Sequence, residues 1–589
     1  MKITCLLLLF LTGITFALTA QKKLQTKTSI ELLQDGLKFK GNNEPQKAEA
    51  SFNSISINDT NYVLAQKELA LLYMSMKEFE KSDKILTTLL NYESAFNNRA
   101  SVYYILAQSY NGQEKYDASL ELLEEGIKNY PMNHILYHVK GLTYEKKGEY
   151  QNALEAYKQA IQRNMNYYDA HMRLGILAAN EGKYTEAMFS LLSCLMIEPK
   201  GEKSGDVVFF MEEIADGTFT PTKKGIVLSE NGDKFDHVNL LFSNKVALQP
   251  KYKAKFTVST SYARQLHLIL STLEYDGNDE GFWHRQYLSF YKNIYNAGQL
   301  DPMILFTLQS VTNEKTAKTV TSKKSVIDKF VKEATNYWSN NNMFQYLEFE
   351  GKKQKVGLLF KDSAPIVGVL TAENKPIGNW YYYHPQGNLH LIVPLNMQGE
   401  KDGVLKKYDV FTNNLIEETT YTKNIENGIQ KKYFKSGEIE QMIRYKDGKM
   451  IDTVVNYYRG GQTMDIIPLK DNLRDGIATT YYENGQLKIS TPFTAGELNG
   501  LYQTYHENGK LSVKVTVEKG VITGEKKSYY PNGQLEYEYP FKNDKVDGAF
   551  KKYYPNGQVE EEGKMMAGKY FGENVSYYSN GTVYSKGKY

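Results

Sequence analysis

Two periodicities of apolar residues divide this chain. From residue 29 to about 200, apolar positions recur every three or four residues, as in Val102-Tyr103-Tyr104-Ile105-Leu106-Ala107-Gln108-Ser109-Tyr110. That spacing lays a stripe along one face of an α-helix. Over roughly the last 240 residues the period shortens to two. Gly476-Ile477-Ala478-Thr479-Thr480-Tyr481-Tyr482-Glu483-Asn484-Gly485 is a run of β-formers ending in Asn-Gly, and a second strand is expected from Gln486 to about Phe493. Asn-Gly is a strong hairpin signal, with both turn positions expected at positive φ. Between these regions, residues 202–345 show no fixed repeat. Tyr262 to Leu273, Trp283 to Tyr295 and Val326 to Trp338 nevertheless read as amphipathic helices, separated by breakers such as Gly298 and Pro302, and are expected to cap the first region. Residues 346–375 are the expected transition to β-structure.

Both outer regions repeat. In the helical part, Leu136-Tyr137 with Gly141, Leu142 and Tyr144 returns as Met172 with Leu174, Gly175 and Ala178. Polar turns (Lys147-Gly148-Glu149, Glu181-Gly182-Lys183) precede aromatics at Phe79, Tyr116, Tyr150 and Tyr184, which lie 37, 34 and 34 residues apart. Ser119, Ala153 and Ala187 are small residues of the second helix, and Pro131 and Pro199 close two units. This pattern resembles the tetratricopeptide repeat. With Gly36 and Ala48 as the first equivalents it gives five units, 29–62, 63–99, 100–133, 134–167 and 168–201, with an insertion in the second and Met165 where proline is common. The resemblance implies a concave groove that takes a peptide or protein. Tyr103, Tyr137, His138 and His171, on the inner helices, are the residues expected to line it.

The second array repeats every 24 residues, with turn positions at Asn413, Gly437, Gly461, Gly485, Gly509, Gly533, Gly557 and Gly581. Its strands start at Gly378, Gly403, Gly428, Asp452, Gly476, Gly500, Gly524, Gly548 and Gly572, and a tyrosine stands five residues after each, from Tyr383 to Tyr577. The next residue is usually a ring: Phe434, Tyr458, Tyr482, His506, Tyr530, Tyr554 and Tyr578. Neighbouring strand residues face opposite sides, so two aromatic rows are expected, with their hydroxyls in water. The glycine, the tyrosine pair and Asn-Gly-Gln-Leu resemble the bacterial variant of the MORN repeat over 376–589, in nine units. The resemblance weakens at Asn413-Asn414 and at Arg459-Gly460-Gly461. It implies an elongated hairpin array with roles that vary among protein binding, phospholipid contact and toxin neutralisation. The fold class expected for the whole is α+β: a helical solenoid, a helical middle and an antiparallel hairpin array.

Composition narrows the function. The chain has 71 basic and 68 acidic residues, a net charge of +3, and no clustered basic face to suit nucleic acid. From Gly428 onward 23 basic and 20 acidic residues are mixed in sign, which weighs against stacking on bases. A membrane contact would need a basic stripe or an amphipathic helix beside the array, and neither is evident. Lys2, the apolar stretch Ile3 to Phe16 and the small residues Ala17 and Ala20 read as a signal peptide over 1–20, so export to the periplasm or beyond is expected. Cys194 is then the remaining cysteine and is expected to pack as a small hydrophobe. Asp276-Gly277-Asn278-Asp279-Glu280-Gly281 has the alternation of a calcium loop, but its twelfth place is Tyr287 instead of a bidentate acid. His134 and His138 lie one helical turn apart without a third ligand in a zinc-helix pattern. No nucleophile elbow, phosphate loop or dinucleotide fingerprint occurs. The sequence therefore points to a non-enzymatic scaffold without cofactor or metal, binding a protein or peptide. The alternatives are binding of a carbohydrate or cell-wall polymer on the second aromatic row, and an antitoxin-like inhibitor.

Overall fold

Missing side chains set the geometry of the helical half. A Cβ on Gly36 would stand 2.4 Å from Phe52, one on Gly141 2.5 Å from Tyr157, and one on Gly175 2.8 Å from Leu191. Each glycine lets the second helix of a pair press a large side chain onto the backbone of the first. The computed structural model describes residues 27–92, 99–222, 235–277, 281–341, 344–361, 364–384, 387–410 and 412–589. The expected signal peptide lies outside these residues, as do Asn278, Asp279 and Glu280 of the calcium-like run. The chain splits into two compact units, Met1–Asn342 and Met343–Tyr589.

Antiparallel helix pairs follow the 34-residue period: α1 (Ser29–Gly41) with α2 (Pro45–Asn53), α3 (Tyr62–Ser75) with α4 (Phe79–Leu90), α5 (Arg99–Gly112) with α6 (Tyr116–Asn129), α7 (His134–Lys147) with α8 (Tyr150–Arg163), and α9 (Tyr168–Asn180) with α10 (Tyr184–Ile197). Local chemistry fixes their ends. Thr28 and Glu31 form a capping box on α1, Asn133 accepts from the first turn of α7, and Gly148 ends α7 in the left-handed conformation at φ 84°.

The middle region continues this stack. Its helices are α11 (Ser204–Asp216), α12 (Asp236–Ser243), α13 (Ser261–Thr272), a π-helical turn (His284–Leu288) running into α14 (Ser289–Asn296), α15 (Leu300–Thr307), α16 (Glu314–Ser322) and α17 (Lys324–Asn341). One apolar core runs without a break from Tyr137 to Ala334, so the fourth and fifth pairs share it with the middle helices. α10 is apolar almost all round, with Met188, Phe189, Leu191, Leu192 and Leu195 fully buried. A helix of that kind needs cover on every side. Phe189 stacks on Tyr291 with centroids 5.4 Å apart, Ser193 meets the Tyr291 hydroxyl at 2.6 Å, and Tyr184 stacks on Phe242 at 5.2 Å. Buried Lys292 donates from Nζ to the Leu270 and Leu273 carbonyls at the end of α13, where the helix dipole favours a cation.

Among the described residues the second unit is an antiparallel meander of 25 strands, from β1 (Phe344–Phe349) to β25 (Val583–Lys588); successive long strands pair with one another, and four two-residue strands (Leu473–Arg474, Glu497–Leu498, Lys545–Val546 and Lys569–Tyr570) pair only with the strand before them. Strands therefore begin at Phe344, within and ahead of the stretch expected as a transition. Both ends of each repeat are tight turns. The Asn-Gly ends are three-residue loops: Tyr481 pairs with Leu487, the Gly485 amide donates to the Tyr482 carbonyl, and Gly485 alone of Glu483-Asn484-Gly485 has positive φ. This is a type I turn closed by a glycine bulge, which corrects the expectation of two positive-φ residues. Turns with two successive positive-φ residues occur at the opposite ends instead, as at Asp471-Asn472 (51° and 68°), Ala495-Gly496 (47° and 89°) and Asn543-Asp544 (50° and 62°). The starting glycine has its own reason. Gly500 sits at φ 129°, and a Cβ there would come within 3.0 Å of Pro492.

Truncation tests the shared core. A chain ending at Gly201 is expected to aggregate, or to unfold well below a chain ending at Asn342, because it strips the cover from Phe189, Leu192 and Leu195. Size-exclusion chromatography and thermal denaturation of the two fragments check this.

Candidate functional site

The residues expected to line the helical groove lie inside. Tyr103 is 7 % exposed, Tyr137 5 %, His138 7 % and His171 0 %. These positions face the seams where helix pairs meet, so large rings there fill the stack. Tyr103 donates to Glu125 at 2.7 Å and packs 6.2 Å from Tyr130. Tyr137 donates to the Pro131 carbonyl at 3.1 Å, under an Arg163 guanidinium 3.8 Å from its ring centre. His171 is closed off by the π-helical turn: its Nε2 lies 2.8 Å from the Met165 carbonyl and its Nδ1 2.8 Å from the Tyr287 hydroxyl. The carbonyl can only accept, so Nε2 carries the proton and Nδ1 accepts from the phenol. Tyr287, the residue that spoils the calcium-loop reading, is thus a core side chain.

His134 and His138 flank one ring. Tyr167, at the start of α9, stands edge-on to both, with centroids 4.6 and 5.1 Å away. Asn164 Nδ2 lies 3.2 Å from His134 Nε2, while the Nδ1 of His138 is buried without a hydrogen-bond partner. Burial pushes His134, His138 and His171 down to about 4, and His134 is lowered further by its histidine neighbour. Among the described residues no three His, Cys, Asp or Glu side chains converge as metal ligands would. Cys194 is fully buried, and burial raises its thiol well above the ordinary range.

The second aromatic row of the hairpin array is a ladder of hydrogen bonds. Tyr458 donates its hydroxyl to the Tyr481 carbonyl at 2.8 Å, Tyr482 to Tyr505 at 2.9 Å, Tyr530 to Tyr553 at 2.8 Å and Tyr554 to Tyr577 at 2.8 Å, each bond reaching 23 residues along the chain. His506 occupies the same place, with Nε2 2.7 Å from the Tyr529 carbonyl. An imidazole N–H reaches the point that a phenol O–H reaches, which explains how a histidine can stand in this row. These groups are therefore engaged by the next repeat, in contrast to the expected wet hydroxyls. Phe434 has no hydroxyl to give, and Tyr578 is 52 % exposed.

A second ladder runs along the turns. Asn508, Asn532 and Asn556 each accept from the amide two residues on and donate Nδ2 to a carbonyl of the next turn, Pro531 at 2.8 Å, Pro555 at 3.1 Å and Ser579 at 2.8 Å. First-row tyrosines reach backwards. Tyr433 donates to Glu418 at 2.6 Å and Tyr553 to Glu538 at 2.8 Å, and burial with that carboxylate pushes both phenols up to about 12. The regular 24-residue spacing was the sequence signal for these contacts, since identical side chains one repeat apart stand in register.

Comparison with known proteins agrees with this architecture. The model of the tetratricopeptide repeat matches residues 104–166 and 138–193. The model of the MORN repeat variant matches 426–447, 474–495, 498–519, 522–543 and 546–565. The chain thus carries tetratricopeptide repeats in its helical half and MORN-variant repeats in its hairpin array. Similar solved structures include a crystal structure of MamA (22 % identity over 28 % of this chain and 94 % of that one, TM-score 0.23). Another is MamA of Desulfovibrio magneticus (14 %, 29 % and 94 %, TM-score 0.23). A third is a thermophilic TPR protein of Thermus thermophilus (18 %, 32 % and 99 %, TM-score 0.27). A search of curated proteins gives no match.

Two measurements test these contacts. Tyr530→Phe is expected to cost about 0.5–1.5 kcal/mol, one net hydrogen bond. His506→Phe should cost a similar amount and His506→Tyr should not, as read by denaturant unfolding of the full chain. For the buried histidines the sign is set by folded-state values below the ordinary 6.5. The unfolded chain binds their protons first, so their contribution is intact above 6.5 and is lost as pH falls from 6.5 towards 4. The thermal midpoint should fall across that window, and fall less in a His134→Gln/His138→Gln variant.

Proposed function

We propose that this protein is an exported, non-enzymatic scaffold that holds a protein or peptide partner in the cell envelope or outside the cell. The observation that carries the reading is the tetratricopeptide match over residues 104–193, on a stack of helix pairs. Such stacks present long, continuous faces and bind by extended contact. The polar groups that repeat most regularly, the second-row rings and the turn asparagines, hold one hairpin to the next. That is the construction of a support. The buried placement of Tyr103, Tyr137 and His171 moves the partner surface to exposed positions on the same helices, such as Arg173 of α9, which is 46 % exposed in its side chain. Among the described residues no helix is long and apolar enough to cross a membrane. Export rests on the pattern of residues 1–20. The antitoxin-like role rests on the resemblance of the hairpin repeats alone.

The test uses the full-length protein in the cells that make it. A photo-crosslinking residue at Arg173 is expected to capture one defined protein, and the mature chain recovered from the envelope or medium should have lost its first twenty or so residues by intact mass. Capture of no protein, or a chain retained in the cytosol with an intact amino terminus, would overturn the proposal.

A further inference from the structure

The two ladders of the hairpin array fail together at one junction, between the repeats of Phe434 and Tyr458. Position 434 is a phenylalanine, so the Tyr457 carbonyl receives no ring donor of the kind that Tyr458, Tyr482, His506, Tyr530 and Tyr554 supply to later repeats. The turn residue here is Ser436, and Gly460 in the next repeat, where the repeats from Asn484 onward have asparagine; Ser436 makes no bond to the next turn of the kind Asn508 or Asn532 makes. A groove of about 610 Å³ opens at this place, with Phe434 and Tyr458 among the residues that line it. That volume lies within the range of small-molecule sites, about 300–1,000 Å³.

Polar side chains bridge the strands beneath it. Gln441 donates to Asn456 at 2.8 Å, and Asn456 approaches Asp465 at 3.5 Å, so a chain of polar side chains runs across three adjacent strands. Two repeats on, the strand positions in the same cross-strand register include the apolar Ile489 and Val513. Lys432 and Arg459 line the groove together with Glu440 and Glu483, two charges of each sign. Arg459 stands 5.8 Å above the Phe434 ring, an exposed guanidinium at the mouth of the groove. The Tyr458 ring is held in place by its bond to Tyr481.

We propose that this groove binds a neutral saccharide unit. The apolar C–H face of the sugar would lie on Phe434, and a sugar hydroxyl would donate to the Tyr457 carbonyl that the array leaves without its ring donor. Hydroxyls both donate and accept, which suits a lining that offers carboxylates, amides and cations together. An anion would face Glu440 and Glu483, and a cation would face Lys432 and Arg459. This site does not depend on the helical half or on its protein partner.

Saturation-transfer NMR and calorimetry on the full chain test the assignment. One arm uses free glucose and N-acetylglucosamine, the other soluble oligosaccharides of the same units, so that a terminal sugar and an extended glycan are told apart. Binding in either arm is expected, with transfer to the ring C–H protons. Phe434→Tyr supplies the missing hydroxyl to Tyr457; it should raise the thermal midpoint and weaken binding about tenfold, the scale of one lost contact. Arg459→Ala, at an exposed turn, should weaken binding without lowering the midpoint. No saccharide binding at millimolar concentration, or binding that is unchanged in both variants, would overturn the proposal.

Discussion

A sheet one layer thick cannot bury a core of its own, and the whole carboxy-terminal unit depends on how that constraint is met. The first strands bury Val356, Val367 and Trp380, but beyond residue 400 the side chains are mostly half-buried on both faces, and full burial is confined to scattered positions such as Val515, Val517 and Phe550. Stability then comes from contacts between neighbouring repeats. The bond from a second-row ring to a backbone carbonyl 23 residues on supplies such a contact at each regular junction. It ties one hairpin turn to the next through a group that a phenol or an imidazole can equally provide. The asparagines of the later turns add a parallel tie.

The helical unit meets the same constraint by other means. Each pair buries its apolar faces against its neighbours, and glycines at 36, 141 and 175 admit the close approach. The last pair has no following pair of its kind, and the middle helices take that role. Phe189, Tyr287 and Tyr291 join the two regions in one core, and His171 is locked between Met165 and Tyr287. The three buried histidines are neutral parts of this packing, which makes acid a stress on the helical unit.

Regular structure also makes irregularity informative. In an array whose later junctions repeat one ring tie, a phenylalanine at 434 beside a serine at 436 is conspicuous. Both remove a tie, and the groove opens where the ties are missing. The scaffold reading and the saccharide reading therefore draw on opposite features: one on what the repeats share, the other on the place where they depart from their own rule.

The sequence by itself determined the fold class, because periods of 34 and 24 residues survive in the one-dimensional order of the chain. It also determined the placement of the glycines, since a missing side chain is visible as such. Only the tertiary structure decided which way a ring faces and what its polar end touches. Tyr137 and His171 looked available for a groove because helical spacing gives a face but not the neighbour that covers it. Tyr530 looked wet because its acceptor belongs to the next repeat. Asn484-Gly485 looked like a turn of two left-handed residues, and the strand register made it a type I turn closed by a single glycine. For the rings, the deciding partner lies a full repeat, or a whole region, away along the chain. Local pattern has no access to that distance.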